Sequence, residues 1–365
     1  MTINLGVVGC GDVAFRTYLP DVAPLLADGG VAVTVCFDPI AERAERAAVM
    51  FPGARAVTTL TGVLEHPGLT AALNLTPAPF HRETTAALLD AGLDVFSEKP
   101  LAATVAEAQA LFAQAAALER TLMCAPAITV TNRFRWLADL IARGEIGTPT
   151  LATAQMANMG PAAWQDYTGD PAVFYGPGVG PMVDTGVYVL HAITGVLGPA
   201  KRVHALGGIA IPTWTVAIER LKGQHITVGV NDQMLIQLEF GENVFAQIVS
   251  SFAIPGSRAP ALELHGTGGS FSIAMSQWYD ANGGTDIVRF DQESGVGTGW
   301  ETRRPPTDSP FGNIIAAGVP HFVAALRGEE GPILTAEHAC HVLEIMVAAT
   351  ESAAGGGSRT LATTF

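Results

Sequence analysis

The chain has 365 residues, of which 48% are hydrophobic and only 15% are charged. This composition supplies a large buried core and excludes a disordered or fibrous protein. The net charge is −14 and no lysine- or arginine-rich run occurs, which argues against nucleic acid as a partner.

The sequence carries no pattern of export or membrane insertion. Its first residues form an apolar strand pattern without a basic leader, and no uncharged apolar run reaches the ~20 residues of a membrane span. The four cysteines are scattered without CxxC spacing, which favours isolated buried thiols over disulfides or a zinc site. We therefore expect a cytoplasmic protein that does not bind a membrane.

The first third of the chain alternates apolar runs with segments of helical periodicity. Strands are predicted at residues 3–8, 31–37, 71–75 and 94–97, and helices at residues 40–49, 81–91 and 102–118. Thr104 and Glu107 form a capping box at the start of the last helix. This alternation predicts an α/β fold, with a Rossmann dinucleotide-binding domain on a parallel sheet over residues 1–123.

The rest of the chain, residues 124–365, has a different pattern. A helix at residues 133–143 is followed by longer, alternating strands, with glycine-rich turns between several of them, and a final helix is predicted from residue 336 to about 349. Strands are predicted at residues 150–156, 224–230, 234–240, 244–252, 261–265 and 270–274. We expect an α+β substrate-binding domain with a large, mainly antiparallel open sheet. Its uncovered apolar face predicts a homodimer or homotetramer formed through that sheet.

A glycine-rich turn follows the first strand. Gly9, Gly11 and Ala14 form a G-x-G-x-x-A pattern between a strand and a helix-compatible segment, the context in which a dinucleotide pyrophosphate binds. The turn predicts cofactor contacts from these residues and from Asp12 and Val13. A plain turn between strand and helix is the alternative.

Asp38 ends the second strand, where a carboxylate can accept hydrogen bonds from the ribose hydroxyls of the adenosine. Its charge would repel a 2′-phosphate, and no cation follows directly, so NAD is favoured and NADP remains possible. Arg43 can reach the ribose or point to solvent.

Residues 71–101 read AALNLTPAPFHRETTAALLDAGLDVFSEKPL. This stretch resembles the signature of the glucose-fructose oxidoreductase, inositol dehydrogenase and rhizopine catabolism (Gfo/Idh/MocA) family. The matching features are a Thr76-Pro77 turn after a strand, His81 at a helix start, and Glu98-Lys99-Pro100 after the next strand. The resemblance spans nearly the whole chain and implies cofactor contacts from Thr76, Pro77, His81, Glu98 and Lys99.

A second motif of this family, D-x-G-x-[HY], is present as Asp184, Gly186 and Tyr188. Members with inositol-type sites have histidine at the last position, whereas this chain has tyrosine. It is similar there to the glucose-fructose oxidoreductase and to the dihydrodiol or xylose dehydrogenase branches.

The residue chemistry agrees with alcohol oxidation. Tyr188 is the candidate acid/base, although tyrosine titrates near ~10 and needs a nearby cation to act near neutral pH. Lys99 lies at the carboxyl end of a strand, where α/β sheets bind ligands, and can supply that charge. Asp184 would orient Lys99 or the substrate. Each also has a structural alternative: a surface lysine, a core tyrosine and a carboxylate that offsets the helix dipole.

Two further residues are candidate substrate contacts. Trp164 lies in a loop-like segment and can stack on a sugar or pack within the loop. His191 follows Tyr188 on the same predicted helix and contacts substrate or packs in the core. No metal is expected, because His338 and His341 lack a third ligand.

These observations predict an NAD(P)-dependent oxidoreductase acting on a sugar or polyol, with Lys99, Asp184 and Tyr188 as catalytic residues. The alternative is a dinucleotide-sensing regulator of sugar metabolism on the same fold, and a small-molecule binding protein without turnover is a third possibility.

Overall fold

The computed structural model describes residues 2–27, 29–309, 313–315 and 317–365. The chain divides into two compact units: Met1–Val130 with Asn313–Leu343, and Thr131–Gly312 with Glu344–Phe365. The division near residue 130 lies close to the boundary expected at residue 123. The sequence assigned residues 313–343 to the second domain, whereas their contacts are with the first.

The first unit is built on a six-stranded sheet in the order β3-β2-β1-β4-β5-β6, with every neighbouring pair parallel. Its strands are β1 (Ile3–Val8), β2 (Val31–Phe37), β3 (Arg55–Val57), β4 (Ala71–Asn74), β5 (Asp94–Ser97) and β6 (Leu122–Cys124). The four predicted strands lie within one residue of these bounds, and the short edge strands β3 and β6 were not predicted. The expected Rossmann-type parallel sheet is confirmed.

The helices of the described residues are α1 (Leu19–Val22), α2 (Ala41–Val49), α3 (Leu60–Leu64), α4 (His81–Asp90), α5 (Val105–Ala117), α6 (Asn132–Ala142), α7 (Val187–Leu197), α8 (Gly318–Leu326) and α9 (Ala336–Gly355). The predicted capping box is present, because the Thr104 and Glu107 side chains each accept from the other residue's backbone N–H. None of these helices is both long and apolar enough to span a bilayer.

The second unit contains a mixed sheet in the order β16-β15-β14-β13-β7-β12-β11-β8-β18, with β17 beside β15. Only the pairing of β7 with β12 is parallel. Its strands are β7 (Pro149–Ala157), β8 (Arg202–Gly208), β11 (Gln233–Gly241), β12 (Val244–Ser251), β13 (Leu262–Gly266), β14 (Gly269–Ile273), β15 (Thr285–Asp291), β16 (Val296–Gly297), β17 (Glu301–Arg303) and β18 (Arg359–Thr360). The expected open, mainly antiparallel sheet is confirmed.

One predicted strand belongs elsewhere. The strand expected at residues 224–230 is only β10 (His225–Thr227), which pairs with β9 (Thr213–Thr215) in a separate two-stranded ribbon. The Val228 N–H continues this pairing by one bond to the Pro212 carbonyl, and Gly229 then leaves it, because its N–H donates to the Tyr175 carbonyl.

The core of the first unit explains why residues 313–343 belong to it. Phe322 of α8 is fully buried, and its ring lies 6.0 Å from that of Phe96 on β5. Phe96 in turn lies 6.2 Å from the ring of Tyr18. A sequence reading that follows chain order has no local signal for this return to the first core.

One face of the large sheet exposes apolar side chains in facing pairs. Leu151 of β7 is opposite Phe245 of β12, and Leu206 of β8 is opposite Leu235 of β11. All four are exposed in the single chain. Glutamine, glutamate and arginine side chains lie between and beside them, so the face is mixed rather than continuously apolar.

An ion cluster joins a helix end to strands of the second unit. Glu145 receives hydrogen bonds from Arg289 and Arg303, and the bond from Arg289 is the main cause that lowers the pKa of its carboxyl. The carboxylate therefore contributes stability where it is ionised.

The four cysteines are buried thiols. They are not all isolated, because Cys10 and Cys36 form a hydrogen bond between their side chains that, with burial, raises the pKa of the Cys10 thiol.

Candidate active site

The glycine turn lies directly after β1. Gly9 has φ +97°, and a Cβ there would lie 2.7 Å from the Leu75 carbonyl, so the turn requires glycine. A Cβ on Gly11 would meet nothing within 4 Å, which leaves open space in front of the following helical turn. Ala14 is fully buried where that turn packs on the sheet. This cradle fits a dinucleotide pyrophosphate.

The helical turn after the glycines is a π turn, Ala14–Tyr18, and not a regular α-helix. Asp12 at its start forms an ion pair of 3.2 Å with Arg16, which offsets a negative charge near the anion-binding end. Val13 is partly buried against the core, and its carbonyl accepts from Thr17.

Asp38 lies directly after β2 as expected, and its carboxylate also stabilises the glycine turn and the loop before α2. Its Oδ2 accepts from the Cys10 N–H at 3.0 Å and its Oδ1 accepts from the Ile40 N–H at 2.9 Å. The residue is only 4% exposed. Arg43, in the first turn of α2, is exposed to solvent.

The turn after β4 is held by Asn74, a fully buried residue that sequence reasoning did not assign to the site. Its Oδ1 accepts from the hydroxyl of Thr76 at 2.6 Å, and its Nδ2 donates to the His81 carbonyl and to Thr85. Pro77 follows, exposed, as the cap of a short 3₁₀ turn.

His81 is 1% exposed, and its ring bridges two loops. Nδ1 lies 2.6 Å from the Pro100 carbonyl oxygen and Nε2 lies 2.7 Å from the Thr76 carbonyl oxygen. Which ring nitrogen donates depends on the tautomer of the ring. The ring therefore ties together two of the predicted cofactor-binding segments.

Lys99 follows β5 at the carboxyl edge of the parallel sheet, and its side chain is partly exposed. Glu98 is 7% exposed; its Oε1 accepts from the Tyr18 hydroxyl at 2.5 Å and its Oε2 accepts from the Lys99 N–H at 2.9 Å. Tyr18 is a second residue that sequence reasoning did not assign to the site.

The second motif lies in the other unit. A π turn, Met182–Gly186, precedes α7. Gly186 packs closely on β12, since a Cβ there would lie 2.9 Å from the Ser250 hydroxyl. Tyr188 is buried in the first turn of α7, and Asp184 lies in the π turn.

Tyr279 is a third missed residue, in a loop far along the chain. Its ring meets that of Tyr188 edge to face at 5.8 Å. Burial, and then the charge of Asp184, raise the pKa of the Tyr279 hydroxyl. The same two effects, with a smaller one from Asp232, raise the pKa of Tyr175 to about 12. The charge of Asp184 therefore acts on both Tyr175 and Tyr279.

The remaining candidates differ in their exposure. Trp164 is exposed at the edge of an aromatic cluster, with ring distances of 6.4 Å to Tyr167 and 6.3 Å to Phe174. His191 is buried on α7. Burial, with the neighbouring His341, lowers the pKa of His338 to about 3. Among the described residues no group of three or more histidine, cysteine or acidic side chains is arranged to hold a metal.

A parallel sheet, a glycine turn before a helical N-terminus and an acidic residue after the second strand define a dinucleotide-binding protein of the Rossmann class. Two family models agree with this class. The model described as an oxidoreductase family with an NAD-binding Rossmann fold matches residues 3–125, and the model of the GFO/IDH/MocA C-terminal domain matches residues 134–272. The chain belongs to the Gfo/Idh/MocA family of NAD-binding oxidoreductases.

Relatives of the chain are named as sugar and polyol enzymes. A dTDP-3,4-didehydro-2,6-dideoxy-alpha-D-glucose 3-reductase of Streptomyces antibioticus is 30% identical over 340 residues, 92% of each chain. An inositol 2-dehydrogenase of Ralstonia nicotianae is 26% identical over 77% of this chain and 81% of that protein. The solved structure of an NAD binding oxidoreductase from Klebsiella pneumoniae covers 99% of both chains with a TM-score of 0.82 at 18% identity, which supports the fold.

Proposed function

We propose that the protein is an NAD(P)-dependent oxidoreductase that interconverts a hydroxyl and a carbonyl group on a sugar or polyol, with NAD favoured. The observation that carries the proposal is the position of Lys99. It follows β5 at the same edge of the parallel sheet as the Gly9 turn follows β1, with β4 between them. A cation at this edge beside the glycine cradle suits chemistry on a ligand bound at the carboxyl ends of the strands.

The first unit would hold the cofactor. The glycine turn, with Asp12, Val13 and Ala14, would receive the pyrophosphate, and Asp38 the adenosine ribose. Thr76, Pro77, Glu98 and Lys99 would line the nicotinamide side, with His81 holding their loops. Bound nicotinamide supplies or accepts the hydride.

Proton transfer would be the task of the second unit. Tyr188 would exchange the proton of the substrate hydroxyl as acid/base, and Asp184 would orient the substrate or Lys99. The hydroxyl of a tyrosine titrates near ~10, so an ionised Tyr188 near neutral pH needs a compensating cation. The ammonium of Lys99 is the candidate for that charge. Trp164 and His191 would contact the sugar.

The names of the relatives support the substrate class. Inositol is a polyol, and the dTDP-linked compound is a deoxysugar, so both carry the carbon–oxygen groups that this chemistry requires. We further propose that the chain assembles into a homodimer or homotetramer through the exposed face of the large sheet, where apolar side chains face each other in pairs.

A substrate screen tests the proposal. Aldoses, polyols, ketosugars and nucleotide-linked sugars are each incubated with the protein and with NAD, NADP or their reduced forms, and the absorbance of the reduced nicotinamide is followed. Turnover of at least one compound, abolished in Tyr188→Phe and Lys99→Met, is the expected result. Tight cofactor binding with no turnover across the panel would instead favour the dinucleotide-sensing regulator.

A further inference from the structure

We propose that Tyr18 is a positioning residue for Lys99 and that it acts through Glu98. The inference rests on the proposed function of Lys99. Tyr18 itself would touch neither the cofactor nor the substrate, because its side chain is fully buried beneath the glycine turn's helix.

The π turn places the Tyr18 side chain next to Glu98. Ala14–Tyr18 is wound with one more residue per hydrogen-bonded turn than an α-helix, and π turns occur often at functional sites. The Tyr18 ring packs against Phe96 of β5, with 6.2 Å between ring centroids, and its hydroxyl lies 2.5 Å from Oε1 of Glu98. A short hydrogen bond to a buried carboxylate is charge-assisted and therefore strong.

Glu98 passes this restraint to Lys99. Its Oε2 accepts from the Lys99 N–H at 2.9 Å, and its own N–H donates to the Asn74 carbonyl at 2.9 Å. Each carboxylate oxygen therefore has a named donor, and one orientation of the carboxylate satisfies both. The backbone of Lys99 is linked in this way to the helix that begins the cofactor site.

His81 completes the restraint on the other side of Lys99, since its Nδ1 lies 2.6 Å from the Pro100 carbonyl. Glu98 and Pro100, on either side of Lys99 in the chain, are both held by hydrogen bonds. These bonds fix the direction of the Cα–Cβ bond of Lys99, and the residue remains partly exposed. Pre-organisation of this kind matters because a misplacement of ~1 Å can cost ~10²-fold in rate.

The charge of Glu98 gives Tyr18 a second effect. Glu98 and Lys99 both act electrostatically on the buried thiol of Cys124, so the carboxylate and the ammonium share one neighbourhood. A buried carboxylate that loses a donor is stabilised by a nearby cation, and the ammonium of Lys99, the next residue in the chain, can act as one. Glu98 freed from Tyr18 would then offset the positive charge on which proton transfer at Tyr188 depends.

Two variants and their combination separate positioning from packing. Tyr18→Phe keeps the ring on Phe96 and removes only the hydroxyl, whereas Glu98→Gln removes the charge that the hydroxyl holds. We expect Tyr18→Phe to lower kcat by ~10–100-fold, to shift the alkaline side of the activity profile to higher pH, and to leave the Kd for NAD close to that of the wild type. The double variant should be no slower than the slower single variant, because both changes break one pathway.

Hydrogen exchange supplies a readout without turnover. The Lys99 amide is followed by mass spectrometry in a peptide spanning residues 97–102, and its exchange should be faster in Tyr18→Phe and in Glu98→Gln. Thr70→Val is the matched control, since it removes a hydroxyl bonded to Asn4 at the opposite edge of the same sheet. It should change neither kcat nor the exchange of Lys99.

The outcomes are distinguishable. Additive losses of kcat in the double variant, or Lys99 exchange equal to that of the wild type in both single variants, would overturn the inference. A wild-type protein that turns over no substrate would defeat the proposed function instead, and the exchange measurement would still decide whether Tyr18 restrains Lys99.

Discussion

Asp38→Ala is expected to weaken NAD binding and to relax the discrimination against NADP. In the proposed complex the carboxylate accepts from the ribose hydroxyls and repels a 2′-phosphate. The structure adds a second task, because the same carboxylate already accepts from the N–H groups of Cys10 and Ile40. The substitution therefore perturbs both the ligand contact and the turn beside it, and the two effects must be separated.

The magnitudes follow from the bonds. The buried N–H of Cys10 left without an acceptor lowers the free energy of unfolding by ~1–3 kcal/mol, and the N–H of Ile40, which is partly exposed to water, adds less. A hydrogen bond to a charged group contributes ~1.5–3 kcal/mol, and losing one or two from the ribose raises the Kd for NAD by at least ~10-fold. NADP binding is weakened by the same change in the turn, but it also gains, because the carboxylate that repels the 2′-phosphate is gone. The ratio of the Kd for NADP to the Kd for NAD should therefore fall.

Asp232→Ala is the matched control. Asp232 is a fully buried carboxylate of the second unit that accepts from the N–H groups of Ala210 and Ile211 at 2.6 and 2.8 Å. It should lose similar stability in a thermal melt and keep the wild-type ratio of the two dissociation constants, measured by isothermal titration calorimetry. If Asp38→Ala leaves that ratio unchanged, the carboxylate does not read the ribose and its role is confined to the turn.

Three further predictions follow from the site and the fold. Tyr188→Phe should lower kcat by ~10²–10⁴-fold with cofactor affinity retained, and a near-normal kcat would refute its acid/base role. Lys99→Met should also lower kcat, and its remaining activity should require higher pH. The two losses should not add in the double variant. Glu145, whose pKa is lowered mainly by hydrogen bonds from its arginine partners, contributes stability above the ordinary glutamate pKa of ~4.3. In chemical denaturation near neutral pH, Glu145→Gln should therefore be less stable than the wild type by ~1 kcal/mol. The difference should disappear as the pH falls below the pKa of Glu145, because the wild-type carboxylate is then protonated. A difference that persists in acid would contradict the role of the ionised carboxylate. Leu235→Glu on the exposed sheet face should convert the oligomer to monomers in light scattering, whereas Leu118→Glu in the other unit should not; a monomeric wild type would refute the interface.

Local patterns were sufficient to predict the elements that position the cofactor site. β1, β2 and β5 have their predicted bounds because each is a short apolar run ended by a turn signal. The start of α5 was predicted from a capping box that operates within four residues. The failures arose where the determining contacts are distant. Residues 313–343 return to the first core through Phe322, and β10 leaves the main sheet to pair with β9.

The same distinction applies to the site. Motifs located Gly9, Asp38, Lys99 and Tyr188, since each follows a recognisable strand end or glycine-rich turn. Tyr18 could not be found in this way, because Glu98 is 80 residues away. The hydrogen bond between them also depends on a π turn that no local pattern predicts.

The hydrogen bonds of the site also show why a motif residue need not contact ligand. Glu98 belongs to the recognisable Glu-Lys-Pro segment, yet both of its carboxylate oxygens are engaged by the protein itself. The ring nitrogens of His81 are engaged in the same way, by two backbone carbonyls. Hydrogen bonds of this kind fix the geometry of neighbouring atoms, whether or not the same side chain also contacts a ligand. Glu98 and His81 therefore hold Lys99 and the Thr76 turn in place, and substitutions of these two residues should impair catalysis more than cofactor affinity.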